Sequence, residues 1–355
     1  MKSRGSFIRK AFVAFLAAVM ATFAFASVIV GSAPGASAAT EPAPVRGLGF
    51  YPGFANVSQL TSLENWLGRQ SKYVVQFGDT NIANFPSSVW GEVVNAGAMQ
   101  TLASRVTLAE SIPLAFGSFV DATTAAGQAT ARNQLQATAN GSYDSQYRQA
   151  AQMIRDGGFS TAIIRLGWEF DGGWMPWSAQ GNCALFQSVY RRVHDIFTSV
   201  SPGFRFDWNG TSWYFSANAA CGYPGDSYVD MVGLDQYDMG TGAAYNSSSQ
   251  TWVDPTGGFN TYVKPNLVKA RDFAIAHGKQ VSYPEWALAG LGNCSPAGGD
   301  DPAFIQGMYD WMNNLPATGP GSLAYQSYFQ EKIDFDHRIT SYPNAKARYR
   351  QLFGA

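Results

Sequence analysis

Two glutamates lie where strand-like segments end, and tryptophans are close to each of them in sequence. Glu169 is in IIRLGWEFDGGWMPW and Glu285 is in SYPEWAL. Two facing carboxyl groups suit cleavage of a glycosidic bond, because one donates a proton to the leaving oxygen while the other stays ionised against a developing positive charge. Like charges held close together raise the pKa of one partner, which permits this division of labour near neutral pH. The alternative for each residue is an ordinary ion pair.

The elements that must position these glutamates are eight short apolar segments bounded by turn residues. They are RGLGFYPGF, YVVQFGD, VTLAESIPLAF, TAIIRLGWEF, FRFDWNG, VDMVGLDQYD, QVSYPEWAL and SLAYQSYF. Such segments are typical of parallel strands that are covered on both faces. Helical patterns separate most of them, so the sequence predicts a single-domain α/β fold, a (β/α)8 TIM barrel. Glu169 would end the fourth strand and Glu285 the seventh, and closure of the barrel would bring both to the same rim.

Five segments between the strands have the apolar spacing or the terminal glycines of helices. They are VSQLTSLENWLGRQ, YDSQYRQAAQMIRDGG, CALFQSVYRRVHDIFTSV, YVKPNLVKARDFAIAHG and PAFIQGMYDWMNNL. The link between the fifth and sixth strands, residues 212–227, is instead predicted to be mostly loop.

The chain begins with four basic residues among its first ten, a long apolar run and small residues ending in GASAAT. This order is that of a secretory signal with a cleavage site near Ala38 or Ala39. We therefore expect residues 1–39 to be removed, residues 40–355 to form the catalytic domain, and the mature protein to be secreted and free of the membrane. Because the apolar run from Ala11 to Val30 is long enough to span a bilayer, an uncleaved anchor is the alternative.

The composition excludes several classes of function. Removal of residues 1–39 takes away four of the 24 Lys and Arg and none of the 25 Asp and Glu, which changes the net charge from −1 to −5. No basic cluster remains to hold phosphate backbones, so we expect no nucleic-acid partner. The chain has no HExxH, paired-Cys zinc spacing, GxSxG or phosphate-loop motif, so we predict neither a metal nor a cofactor. We expect a monomer whose partner is a polysaccharide or oligosaccharide substrate.

The three cysteines all lie in the part that would be exported. Cys183 and Cys221 flank a predicted helix–strand unit, so we expect them to form a disulfide in an oxidising compartment. A bridge between Cys221 and Cys294 is the alternative.

Two further residues could control the charge of the glutamates. Tyr237, in GLDQYD at the end of the sixth strand, could orient Glu285 through a phenol hydrogen bond. Arg165 shares strand parity with Glu169 and needs acceptors if it is buried. It therefore either braces a site carboxylate or forms an ion pair in the core, with Asp235 as a candidate partner.

Aromatic residues at the strand ends are candidates for binding sugar rings. Trp174, Trp177 and Trp286 follow the two glutamates, and the face of an indole can stack on the C–H bonds of a sugar. Packing is the alternative for each of them taken alone. Asn209, after the fifth strand, and Tyr51, at the end of the first, are further candidates by position.

The motif RLGWEFDGGWMPW resembles the pattern of glycoside hydrolase family 26, in which Arg is followed by His-Glu, then Asn-Gly and Trp. This family belongs to the clan A retaining hydrolases and contains mostly endo-β-1,4-mannanases. The resemblance implies that Glu169 is the acid/base and Glu285 the nucleophile. It also implies that Trp168 stands where the family has His, in the central sugar site, and Asp171 where it has Asn.

The expected function is thus a secreted endo-β-glycanase that acts by double displacement with retention. β-1,4-Mannan is the first substrate to test, and mixed-linkage β-glucan or xylan the next. The alternatives are a non-catalytic polysaccharide-binding barrel and a cell-wall transglycosylase, which would use the same site.

Overall fold

Eight parallel strands close into a barrel in the computed structural model of the protein, in the order β1-β8-β7-β6-β5-β4-β3-β2 around the ring. The strands β1 to β8 are Leu48–Tyr51, Tyr73–Phe77, Thr107–Ile112, Ile163–Leu166, Arg205–Thr211, Met231–Tyr237, Gln280–Ala287 and Leu323–Phe329. The structure describes residues 45–85, 96–116, 124–212, 215–239, 245–246, 251–252, 254–290, 297–333 and 335–355. The predicted barrel and its eight strands are confirmed.

Helices follow most of the strands. The α-helices α1 to α10 of the described residues are Val57–Leu67, Ala96–Gln100, Ala125–Ala139, Asp144–Asp156, Cys183–Val200, Phe215–Gly222, Pro255–Gly258, Lys264–Ala276, Pro302–Asn313 and Pro343–Phe353. The five predicted helices are present as α1, α4, α5, α8 and α9. The predicted loop between β5 and β6 is wrong, because it contains α6 and a 3-10 turn at Asp226–Tyr228. The segment FSANAACG has neither charges nor a clear apolar stripe, so its helix gives little signal in the sequence.

The strands are buried on both faces, which explains why their sequences are apolar without alternation. β1 and β4 are buried at every residue. Outward-facing side chains pack against the helices, whereas inward-facing polar residues fill the barrel. In one such interior set, the hydroxyl groups of Ser282 and Tyr325 donate to the Asp207 carboxylate at 2.8 and 2.7 Å.

Helix caps and one disulfide hold the outer layer in place. Asp301 accepts hydrogen bonds from two backbone N–H groups at the start of α9, and Asp300 accepts them at the start of α10. Cys183 and Cys221 form the expected disulfide between α5 and α6, and Cys294 lies outside the described residues. Within those residues, no helix combines the length and the apolar character needed to cross a membrane.

Candidate active site

Glu169 lies in a turn beyond β4, three residues after the strand ends at Leu166. Its φ is +50°, an uncommon value for a residue with a side chain. The backbone N–H of Glu169 donates to Asn209 Oδ1 at 3.3 Å, and Trp174 Nε1 donates to Glu169 Oε2 at 3.1 Å. Glu169 was expected to point to the same face as Arg165 by the alternation of side chains along a strand, but this alternation does not extend into the turn. The turn itself aims this side chain into the barrel mouth.

Glu285 lies within β7, and a bulge in that strand directs its side chain. β7 gains one residue relative to both neighbours, between Tyr283 and Trp286 against β8 and between Ser282 and Trp286 against β6. Ser282 points into the barrel, so a regular strand would turn Glu285, three residues later, to the outside. The extra residue restores the inward direction, and Pro284, which has no N–H to donate, is tolerated at such a position.

Arg165 connects the nucleophile candidate to the rest of the barrel interior. Its fully buried guanidinium donates to Glu285 Oε1 at 2.6 Å, Asn209 Oδ1 at 2.7 Å and Ser111 Oγ at 2.8 Å, and it lies 3.3 Å from Asp235 Oδ2. Of the two expectations for Arg165, bracing of a site carboxylate is the one observed. Asn209 also donates to Asp235 Oδ1 at 3.0 Å, so it orders the network rather than facing open space.

Tyr237 completes the surroundings of Glu285. Its hydroxyl group donates to Glu285 Oε2 at 2.8 Å, as the sequence suggested. Each oxygen of Glu285 thus accepts one strong hydrogen bond, one of them from a cation. These two bonds, one of them part of the ion pair with Arg165, fix the position and orientation of the Glu285 carboxylate.

Three carboxyl groups meet in this mouth. Glu169, Asp235 and Glu285 each offer an oxygen atom, and these atoms lie within 4.8 Å of one another. With Arg165 as the neighbouring cation, ionisation of all three would leave buried negative charge uncompensated. Burial and the charge of Glu285 raise the pKa of Asp235 well above its ordinary value. Burial, Glu285 and Asp171 together raise the pKa of Glu169 to about 8, so Glu169 carries a proton at neutral pH.

The same three oxygens have the spacing of a metal-binding group. Carboxylate oxygens suit Mg²⁺, Mn²⁺ or Ca²⁺. However, the Arg165 guanidinium already provides a positive charge within hydrogen-bond distance of Glu285 and close to Asp235. The site therefore combines a carboxylate paired with a guanidinium, Glu285, and a neighbouring carboxyl group of raised pKa, Glu169.

Two of the tryptophans expected to bind sugar are instead in the core. Trp177 is fully buried, and its Nε1 donates to the backbone oxygen of Trp168 at 2.7 Å. Trp286 is also fully buried and stacks on Tyr349 of α10, on the outside of the barrel. Neighbouring residues of a strand point to opposite faces, so Glu285 in the mouth requires Trp286 outside it. Neither indole offers a face to a substrate, and these two assignments are wrong.

The other candidates differ in how far they reach the mouth. Trp174 is half-buried and contacts Glu169, so it remains a substrate-binding candidate. Trp168 is 5 % exposed and packs edge-on against Phe77. Tyr51 is 3 % exposed and packs between aromatic rings at the end of β1. Trp168 and Tyr51 line the wall of the mouth without presenting a flat face.

Two acidic residues of the site have a larger part than the sequence suggested. Asp235 was expected only as a partner of Arg165, yet it is one of the three clustered carboxyl groups. Its position two residues before Tyr237, on the same face of β6, was the available signal. Asp171 accepts a hydrogen bond from the Thr211 N–H at 2.8 Å, and burial raises its pKa to about 7.

A closed parallel barrel with two glutamate carboxyl groups close together at its carboxyl-end rim has the architecture of the (β/α)8 glycoside hydrolases. Known proteins that resemble this chain belong to a smaller group within this class. A family model described as Glycosyl hydrolase family 26 matches residues 129–266, which include Glu169 and Tyr237. Over this part of its length the chain is similar to glycoside hydrolase family 26.

Two curated relatives are similar in sequence. The mannan endo-1,4-β-mannosidase of Bifidobacterium adolescentis is 29% identical over 215 residues, which are 56% of this chain and 20% of that protein. Endoglucanase H of Acetivibrio thermocellus is 27% identical over 230 residues, or 61% of this chain and 22% of that protein. The matched part of the chain thus spans about a fifth of the length of these relatives.

A solved structure supports the fold. The catalytic domain of the GH26 endo-β-1,4-mannanase of Bacillus sp. JAMB-750 aligns with a TM-score of 0.55 at 16% identity, and the alignment covers 88% of this chain and 87% of that domain. At this identity the likeness is one of fold.

Proposed function

We propose that the protein is a secreted endo-β-glycanase that hydrolyses β-1,4-mannan by double displacement with retention of configuration. The observation that supports this most directly is the separation of no more than 4.8 Å between oxygens of Glu169 and Glu285. Carboxyl groups of retaining glycosidases lie about 5–5.5 Å apart, whereas inverting enzymes need several ångströms more to place a water between sugar and base.

In the first step, a carboxylate oxygen of Glu285 attacks the anomeric carbon. The bond from this carbon to the glycosidic oxygen breaks, and the proton of Glu169 moves to the departing oxygen. Arg165 and Tyr237 hold the Glu285 carboxylate in place before the attack. In the second step, water attacks the same carbon and gives its proton to Glu169, and the ester bond to Glu285 breaks. Both carboxyl groups return to their starting states.

Mannan is the first choice of substrate because one relative is named a mannan endo-1,4-β-mannosidase, and mixed-linkage β-glucan is next because another is named an endoglucanase. Secretion is proposed from the basic, apolar and small-residue order of residues 1–39. The disulfide between Cys183 and Cys221 is consistent with an oxidising compartment.

The test is incubation of the mature chain with β-mannan, mixed-linkage β-glucan and xylan, with detection of new reducing ends and sizing of the products. Proton NMR at early times identifies the anomer that forms first. We expect internal cleavage of mannan and release of the β-anomer. Binding without new reducing ends would instead support the polysaccharide-binding barrel, products longer than the starting oligosaccharides would support the transglycosylase, and release of the α-anomer would overturn the retaining mechanism.

A further inference from the structure

A phenylalanine at the barrel mouth is exposed where the surrounding backbone is strained. Phe54 follows β1 and is 52 % exposed, which makes it one of three large apolar side chains of the described residues that stand out in solvent, with Ile275 and Ile333. The next residue, Ala55, has a φ of +44°. Among described residues with a side chain, Ala55 shares a positive φ only with Glu169.

A buried glutamine holds this turn on both sides of Phe54. Gln76, from β2, is fully buried. Its Oε1 accepts a hydrogen bond from the Ala55 N–H at 2.7 Å, and its Nε2 donates to the Gly53 carbonyl oxygen at 3.3 Å. Backbone strain at a non-glycine residue persists only where neighbours over-determine it, and such strain clusters at functional sites. The turn is thus fixed in a conformation that keeps the Phe54 ring out of the core.

A continuous series of contacts leads from Phe54 to the nucleophile candidate. The Phe54 ring meets Tyr51 edge-on at 6.1 Å between centroids, and Tyr51 meets Phe77 at 5.0 Å. The Arg165 guanidinium lies 5.4 Å from the centre of the Phe77 ring and donates to Glu285. Around the barrel, β1 is two strands from the strand of Glu285 and three from that of Glu169.

We propose that Phe54 is a stacking platform for a pyranose ring of the substrate, one or more subsites beyond the ring that is attacked, on the nucleophile's side of the mouth. The proposal rests on the proposed function and adds a binding residue to it. An apolar ring face that is rigidly held in water suits the C–H face of a neutral sugar, which loses little hydration on contact. The fixed turn lowers the entropy cost of this contact, because the ring is already in place.

The experiment compares kcat/KM on β-mannan oligosaccharides of increasing length for the parent, Phe54→Ala, Phe54→Leu and Phe54→Trp. We expect Phe54→Ala to lose roughly tenfold on the longest oligosaccharides and less than about threefold on the shortest that the parent cleaves. Phe54→Trp should keep the activity of the parent on the longest oligosaccharides. Phe54→Leu, which keeps apolar surface but not a flat ring, should lose activity as Phe54→Ala does. Ile275→Ala is the matched control, because Ile275 is 46 % exposed at the end of α8, before β7 begins.

A loss that is equal at every chain length, or full activity of Phe54→Leu, would overturn the platform while leaving the proposed function intact. If the parent cleaves no β-glycan, the proposed function fails. Calorimetric titration with mannohexaose then tests whether Phe54 binds a sugar ring. Weaker binding by Phe54→Ala than by Ile275→Ala would support it. Equal binding by both, or no binding by the parent, would overturn it.

Discussion

Glu285 is a strand residue and Glu169 a turn residue, and their surroundings differ as much as their backbones do. Glu285 accepts hydrogen bonds from a buried guanidinium and a phenol, one on each oxygen. Glu169 accepts a hydrogen bond from the indole of Trp174 and faces the negative charges of Glu285 and Asp171. The comparison shows how one barrel mouth treats two carboxyl groups differently: Glu285 is paired with a cation, whereas burial and nearby negative charge raise the pKa of Glu169.

The largest effect should follow removal of the carboxylate that is paired with Arg165. Glu285→Gln keeps the size of the side chain but removes the proposed nucleophile, so we expect kcat to fall by at least about 10⁴-fold on every substrate. The loss should be the same for a polymer and for an aryl glycoside with a good leaving group, because both need the covalent step. The measurement is steady-state turnover, with circular dichroism to verify the fold. Residual activity within tenfold of the parent would contradict the role of Glu285.

Removal of the protonated partner should depend on the leaving group. Glu169→Ala should lose about 10²–10⁴-fold on mannan, which needs a proton on the departing oxygen. A 2,4-dinitrophenyl glycoside leaves without a proton, so its glycosylation step should be much less affected. Azide should also accelerate Glu169→Ala, because it can attack the glycosyl-enzyme without a general base. Equal losses on both substrates would mean that the two glutamates do not differ as their surroundings indicate.

Removal of one hydrogen-bond donor to Glu285 should lower kcat by a smaller factor than removal of either glutamate. Tyr237→Phe removes the phenol hydrogen bond to Glu285 Oε2 and leaves the bond from Arg165 in place. A hydrogen bond to a charged group contributes about 1.5–3 kcal/mol, so kcat should fall roughly 10- to 150-fold. Tyr342→Phe is a control outside the site, because the hydroxyl group of Tyr342 donates to the backbone oxygen of Asp336. Losses of similar size in the two variants would point to a general structural effect.

The sequence was sufficient for the strands, their order in the chain and the pairing of Glu169 with Glu285, because buried parallel strands and strand-end acids leave direct signals. It was not sufficient for the directions of individual side chains. Trp286 was placed in the mouth because it adjoins Glu285, although adjacency in a strand means opposite faces. The bulge that turns Glu285 inward depends on pairing with both neighbouring strands, and only Pro284 hints at it.

Phe54 is a second case in which the sequence did not reveal the direction of a side chain. GFYPGF contains three aromatic residues, Phe50, Tyr51 and Phe54, and the sequence favoured Tyr51 as the one that contacts substrate. The structure buries Tyr51 and exposes Phe54, because Gln76 holds the backbone on both sides of the Phe54 ring. A contact between residues 21 positions apart decides which ring reaches solvent. No local pattern in the sequence contains that information.

The smallest effects should appear as shifts of the pH profile, since they change the proton affinity of Glu169 and leave the reacting groups in place. In the proposed mechanism Glu169 must be protonated for the first step, so kcat/KM of the parent should fall as the pH rises through about 8. Asp171 raises the pKa of Glu169 and Trp174 lowers it. Asp171→Asn, which keeps an acceptor for the Thr211 N–H, should therefore move the alkaline limb to lower pH.

Trp174→Phe should move the same limb to higher pH. It removes the indole hydrogen bond that stabilises the ionised form of Glu169, so the pKa of Glu169 rises. The measurement is kcat/KM against pH for the three proteins on one soluble oligosaccharide, with changes at the maximum below about tenfold. Opposite shifts from two residues on either side of one carboxyl group would identify Glu169 as the group that titrates. Shifts in the same direction, or none, would assign the limb to another acid, of which Asp235 is the nearest candidate because its pKa is also raised and its oxygen lies within 4.8 Å.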